Sequence, residues 1–192
     1  EFLAGGRVAA RGQLAWPALT GHAAVEATGL AAEAARPWVD AALFDRLALA
    51  GTTLDATADV VLPGPTIDVA SGTLAATWRR EDVRLGTLVA TVPPHEERGD
   101  GATAVEVVAD LLPDSPGTRH LDGVVELREA GGSRSIALRR SRLELASPDL
   151  AATFGELRGH FPGLVPPAGP DWPLIGALEA TVEAHGPLAH PV

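Results

Sequence analysis

The residues of this chain that could do chemistry are first of all its histidines. The six of them stand at positions 22, 95, 120, 160, 185 and 190, and no two have the H-x-x-x-H spacing that binds zinc from one helix. His185 and His190 flank a predicted turn and could together chelate a transition metal. A histidine near a turn is more commonly a solvent-exposed side chain, so we predict no metal ligand and no cofactor.

The carboxylates and glycines do not form a catalytic or nucleotide-binding motif either. Asp55 and Asp59, like Glu179 and Glu183, recur four residues apart in alternating stretches. That spacing puts them on the solvated face of a strand, whereas a glycosidase needs two acids that face each other across a cleft. The sequence has no G-x-S-x-G elbow and no Gly-rich phosphate loop. We therefore predict no catalytic residue, and we expect that the chain is not an enzyme.

Arginines form the single basic cluster, at positions 134, 139, 140 and 142. A hairpin could present two or three of these guanidinium groups to lipid phosphates. The alternative, which we favour, is an edge strand whose charges prevent aggregation. The formal net charge of −10 argues against nucleic acid as a partner, because nucleic-acid-binding proteins need an excess of basic side chains.

Period-two alternation is the main structural signal. In the stretch 53–62, Leu54, Ala56, Ala58, Val60 and Leu62 share one face and the polar residues share the other, as in a half-buried strand. The same pattern recurs at 178–185. Further strands are predicted at 7–14, 23–30, 66–78, 82–92, 103–111, 120–129, 133–140 and 142–147, about ten strands in all.

The connectors predict an antiparallel arrangement. Gly and Pro recur between the strands, and the Gly131-Gly132 pair joins two alternating runs directly, as in a hairpin with a primed turn. Helix-like spacing is limited to 31–36 and 38–47, on either side of Pro37, so we expect at most short helices there. The Pro-rich stretch 154–174 has no sustained period and is predicted to be irregular.

An eight-residue pattern, A-x-G-x-L-A-x-P, occurs near both ends of the chain, at 10–17 and at 184–191. We interpret it as a structural repeat in which a Gly bend closes a strand and a Pro ends the segment. The chain begins without Met and ends within a strand-and-turn pattern, so we expect it to be a fragment. Its predicted division is a repeat segment at 1–153, an irregular connector at 154–175 and the start of the next repeat at 176–192.

The recurring order of strand, Gly, short apolar segment and Pro resembles the TamB and AsmA-like family of bacterial envelope proteins. Gly12–Pro17 followed by Gly21–Leu30, and Gly186–Pro191, carry the resemblance. It covers most of the chain as a pattern, from which the Pro-rich stretch departs. The resemblance implies an inner-membrane-anchored protein that extends through the periplasm as a long β-groove. It also implies phospholipid, neighbouring repeats of the same chain and an outer-membrane β-barrel protein as partners.

The fold prediction is therefore an all-β, mostly antiparallel curved sheet that forms an open groove, with a β-sandwich or solenoid as the alternative. No run of 18 or more apolar residues occurs, so no membrane-spanning helix is predicted. The inward faces are rich in Ala and Val, and they could shelter acyl chains at about 0.8 kcal/mol per buried CH₂. The alternative function is a structural or adhesive module with a sealed core. The predicted groove-lining residues are Leu54, Ala56, Ala58, Val60, Leu178, Ala180 and Val182.

Overall fold

In a computed structural model the chain forms one open sheet of nine strands, which confirms the predicted all-β, antiparallel fold class. The structure describes residues 6–18, 20–37, 41–63, 71–94, 102–130, 133–163, 165 and 175–187. Each strand pairs with its sequence neighbours, so the spatial order is the chain order from β1 to β9. All nine described strands belong to this one sheet, so they do not form the alternative two-sheet sandwich.

The strand bounds agree closely with the alternating stretches. The predicted Gly131-Gly132 hairpin is confirmed, because Ala130 and Ser133 pair on either side of it. Residues 66–70 of the fourth predicted strand lie outside the described residues. The strands are β1 Arg7–Ala15, β2 Thr20–Ala31, β3 Thr53–Leu62, β4 Ser71–Arg80, β5 Val83–Val92, β6 Ala102–Leu111, β7 Thr118–Ala130, β8 Ser133–Ser147 and β9 Leu178–Pro187.

Strand β8 corrects the prediction of two strands that break near residue 141. It is one strand, with a register shift in its pairing with β7 between the pairs Val124–Arg140 and Val125–Leu138. The extra residue, Arg139, makes this a β-bulge, which bends a strand without ending it. A bulge also interrupts the alternation of polar and apolar residues, so the alternation breaks here although the strand continues.

A second bulge decides the position of Leu85. The register of β4 and β5 shifts between the pairs Trp78–Gly86 and Arg79–Arg84, which leaves Leu85 as the extra residue. Strict alternation from Thr87 would place Leu85 on the polar face. The bulge instead leaves its side chain fully buried, and its carbonyl accepts a hydrogen bond from the backbone N–H of Leu112 at 2.9 Å.

The repeat pattern A-x-G-x-L-A-x-P coincides only partly with the end of a strand. Gly12 lies within β1, where it pairs with Ala23 of β2, and β1 continues to Ala15. The prediction that Gly12 closes the strand is therefore wrong. The Trp16–Pro17 peptide bond that follows is cis. In the second copy Gly186 has φ of 126° near the end of β9, and residues 188–191 lie outside the described residues.

In the described part of the chain, helical structure is short and lies in two connectors. After β2 come a 3₁₀ turn, Ala32–Ala35, and helix α1, Ala41–Arg46, which agree with the predicted short helices. Helix α2, Leu150–His160, was not predicted, and it shows that the start of the stretch 154–175 is helical rather than irregular. Asp149 caps α2 by accepting a hydrogen bond from Ala152 N at 3.1 Å. The division of the chain into repeats stays a prediction.

The buried core lies where these two connectors meet the sheet. Its buried centre consists of Trp78, Leu85, Leu112 and Phe161, here called the Trp78 cluster. Phe161 follows directly after α2, and Ala48 and Leu49, which follow α1, also pack against the cluster. The end of the sheet that these connectors cover is called the helical end. No described helix is long and apolar enough to span a membrane.

Candidate functional site: the apolar face of the sheet

The register of the nine strands aligns apolar residues into rows that cross the sheet. Residues directly opposite each other on paired strands point to the same face. One such row crosses all nine strands, and every member of it is apolar. From β1 to β9 it consists of Val8, Ala27, Ala56, Ala76, Leu88, Ala109, Leu121, Leu143 and Val182.

The neighbouring row continues the same surface away from the helical end. It consists of Ala10, Val25, Ala58, Leu74, Ala90, Val107, Gly123, Ser141 and Ala184. Ser141 is its one polar member, and its hydroxyl donates to the carbonyl of Ala184 at 3.1 Å. These rows and the residues that continue them along each strand form the apolar face.

The opposite face is polar and carries most of the ionisable side chains of the described strands. Side-chain contacts on this face join neighbouring strands: His22 lies 3.4 Å from Asp59, and His120 lies 2.7 Å from Asp110. Thr87 also donates to Asp110 at 3.3 Å. Asp110 thus contacts both side chains, an arrangement that ties β5, β6 and β7 together on the polar face.

Only part of the apolar face is covered. At the helical end Leu54, Leu88 and Leu111 pack against the Trp78 cluster. Elsewhere on the face several large apolar side chains are open to solvent: Leu74 is 41% exposed, Leu143 44% and Val182 56%. Ala58, Val60, Leu74 and Val92 line a depression of about 280 Å³ in this uncovered region.

The predicted lining residues all lie on this one face. Ala56 and Val182 belong to the same row, although their strands are separated by five others. Ala58 and Val60 line the depression. Leu54, in contrast, packs against the Trp78 cluster at the covered end. Leu178 and Ala180 lie on β9, opposite Ser147 and Leu145 of β8.

Arg119 is a buried charged residue on the apolar face that the sequence reasoning missed. It pairs in register with Leu145, and its side chain is only 3% exposed. Its guanidinium lies 3.4 Å from Glu156 of α2 and donates to the carbonyls of Leu112 and Pro116. Ser115 donates to the other Glu156 oxygen. Because a buried charge needs such partners, Arg119 fastens α2 onto the sheet.

Two exposed carboxylates hold the connectors of the helical end in place. Glu33 accepts a hydrogen bond from the Gly51 N–H at 2.7 Å, and this bond is the main reason that the pKa of Glu33 lies below its ordinary value. Arg84 donates two hydrogen bonds to Asp114, which lowers the pKa of the Asp114 carboxyl. Both carboxylates therefore favour the folded state in their ionised form.

The arginine cluster does not lie on an edge strand, which corrects the interpretation we favoured; presentation of its guanidinium groups to lipid phosphates stays a prediction. Strand β8 pairs with β7 and with β9, so it is not an edge strand. Arg139, Arg140 and Arg142 lie 3.4, 3.9 and 2.7 Å from Glu126, Asp122 and Glu144, respectively. Each guanidinium thus already has a carboxylate partner, which leaves little free positive charge for a phosphate. The side chain of Arg134 lies outside the described residues.

The described part of the chain holds no group of three or more His, Asp or Glu side chains that could bind a metal. His190, one of the two histidines considered as a chelating pair, lies outside the described residues, as does His95.

Comparison with protein-family models, curated proteins and solved structures finds no match for this chain.

Proposed function

We propose that this chain is a non-catalytic segment of a bacterial envelope protein, and that its apolar face shelters phospholipid acyl chains during transport between the inner and outer membranes. The observation that carries the proposal is the row from Val8 to Val182, which is apolar on all nine strands and exposes Val8, Leu143 and Val182 to solvent. Exposed apolar surface of this continuity is typical of a binding face.

The energetics favour a flexible apolar ligand. The open part of the face is built from Ala, Val, Leu and Gly, which form a shallow surface without a deep pocket. An acyl chain can lie along such a surface, and each CH₂ that leaves water contributes about 0.8 kcal/mol. Burial of about six methylene groups would contribute about 5 kcal/mol before the loss of chain entropy is subtracted.

The resemblance to the TamB and AsmA-like proteins supports the cellular part of the proposal. It places the segment in the periplasm, within a protein anchored in the inner membrane. Phospholipid is then the ligand, and neighbouring repeats and an outer-membrane β-barrel protein are the protein partners. The apolar face has no reacting group in this proposal, so the lipid moves along it passively.

The test compares lipid binding by variants that differ only in which face is altered. Leu74→Asp with Leu143→Asp puts two charges on the open apolar face. Val61→Asp with Val89→Asp is the matched control, because these valines lie on the polar face and are 44% and 39% exposed, close to the 41% and 44% of the leucines. Circular dichroism and thermal unfolding establish that all proteins are folded.

Each protein is purified from a bacterial host, and its bound phospholipid is measured by mass spectrometry. We expect stoichiometric phospholipid with the wild-type chain and the control variant, and a loss of at least about tenfold with the leucine variant, because a buried charge without a partner is costly. A folded wild-type chain without lipid, or equal loss in both variants, would contradict the proposal. The first of these outcomes would favour a structural or adhesive module.

A further inference from the structure

Among the described residues the sheet ends in two outer strands, β1 and β9, whose exposed charges are opposite. Strands β1 and β9 each pair on one side only, because they are the first and last strands in the sheet order. The polar face of β1 presents Arg7 and Arg11, and that of β9 presents Glu179 and Glu183. In both pairs the charges are four residues apart, so they recur at the same spacing along the two edges.

These charges are available to a partner. All four side chains are exposed, and none has an ion pair with another described residue. Glu183 lies opposite Arg142 in register, but the Arg142 guanidinium pairs with Glu144 at 2.7 Å.

The edges lack two of the common protections against pairing. Natural edge strands are blocked by proline, short length, bulges or charged side chains, including charges that point toward the buried face. Strand β1 has no proline, and β9 has one only at its last residue. The charged side chains of both edges lie on the polar face alone. On the apolar face the edges expose Val8, Leu14 and Val182.

We propose that β9 of one copy pairs with β1 of a second copy, so that the chains associate head to tail and the apolar face continues from copy to copy. Since all neighbouring strands are antiparallel, β1 and β9 run in the same direction. A second copy with its apolar face on the same side therefore places its β1 parallel to β9. Arg7 and Arg11 then lie beside Glu179 and Glu183, as favourable cross-strand pairs.

The symmetric alternatives are disfavoured by charge. Two copies of β1 that pair around a two-fold axis would bring arginine against arginine, and two copies of β9 would bring glutamate against glutamate. Only the head-to-tail contact brings opposite charges together. The proposal does not depend on lipid binding, since it concerns the sheet edges of this 192-residue chain and can be measured without lipid; in a longer chain, neighbouring repeats would take the same two edges.

Charge reversal tests the pairing by sedimentation velocity across a range of protein and salt concentrations. We expect the wild-type chain to associate, and R7E/R11E and E179R/E183R each to weaken association by at least about tenfold, because two attractive pairs become repulsive. The variant with all four changes should associate like the wild type. The net charges of these three variants are −14, −6 and −10, since each single reversal changes the wild-type value of −10 by two.

The net charges separate specific pairing from general repulsion. If only net charge mattered, E179R/E183R would associate more strongly than the wild type. That result, a wild-type chain that stays monomeric at every concentration, or a four-residue variant that fails to recover association, would overturn the proposal. Circular dichroism shows whether each variant is folded, and the changes lie on exposed edge positions outside the core.

The orientation of the strands is measured with cysteines, because the chain has none of its own. In the proposed register Ala9 lies beside Thr181, each midway between the two charges of its edge. We expect A9C and T181C chains, mixed and mildly oxidised, to form a disulfide-linked pair of one chain of each kind. A9C chains that instead link mainly to each other would contradict the head-to-tail contact.

Discussion

Replacement of Gly86 by alanine tests how tightly the helical end is packed. Gly86 pairs with Trp78 across β4 and β5, and the indole of Trp78 lies over the position that a side chain at residue 86 would occupy. An added Cβ would come within 2.7 Å of Cε2 of the indole and closer still to two other ring atoms. Carbon atoms normally keep about 3.5–4.0 Å apart, so the ring must move.

The cost follows from what surrounds the ring. Trp78 is buried with Leu85, Leu112 and Phe161, so its displacement disturbs the whole cluster. Overpacking of this kind costs about 1–3 kcal/mol. Loss of the flexibility of glycine in the unfolded chain offsets about 0.5–1 kcal/mol of that cost. We expect the free energy of unfolding to fall by about 1–2 kcal/mol, measured by urea denaturation with far-ultraviolet circular dichroism.

A matched control variant and a double mutant show whether the loss of stability comes from the contact between residue 86 and Trp78. Gly155 of α2 has no atom within 4 Å of the position that a Cβ would occupy, so Gly155→Ala should raise the free energy of unfolding by about 0.5–1 kcal/mol. Trp78→Leu should cost less in the Gly86→Ala background than in the wild type, with a coupling of at least about 0.5 kcal/mol. Unchanged stability of Gly86→Ala, or no coupling, would refute this packing argument.

Two further predictions concern the connectors of the helical end. Glu156→Gln should destabilise the protein by about 3 kcal/mol, because it leaves the buried Arg119 without its carboxylate. The double variant Arg119→Met with Glu156→Leu, which removes both charges, should cost less. Hydrogen exchange of the α2 amides measures both costs, and equal costs would contradict a stabilising ion pair. Glu33 and Asp114 have ordinary pKa values of 4.5 and 3.8, lowered in the folded chain. Their stabilisation should be complete above these values and should be lost as the pH falls through the lowered ones. Asp114→Asn cannot accept the same charge-assisted hydrogen bonds from Arg84. Its free energy of unfolding, measured by urea denaturation, should therefore fall less as the pH is lowered. An unchanged pH profile would contradict the stabilising role of the Arg84–Asp114 pair.

Much of the sheet could be predicted because its signal is local. Each strand has one wet and one apolar face, so polar and apolar residues alternate in the chain itself. The run from Leu54 to Val60 shows this most clearly, and its predicted face is the observed one. Helix α2 was missed because it buries little: of its residues only Thr153 is buried, so it lacks an apolar stripe. The Asp149 cap was the available signal for its start.

The sequence by itself determined the antiparallel strands and the two chemically different faces, because both depend on the order of polar and apolar residues. Only the tertiary structure decided which part of the apolar face is covered. Leu85 is buried through a bulge, and Arg119 is buried through a helix that begins about 30 residues later in the chain. Such positions depend on register and on contacts between distant segments, since a shift of one residue exchanges the two faces of a strand.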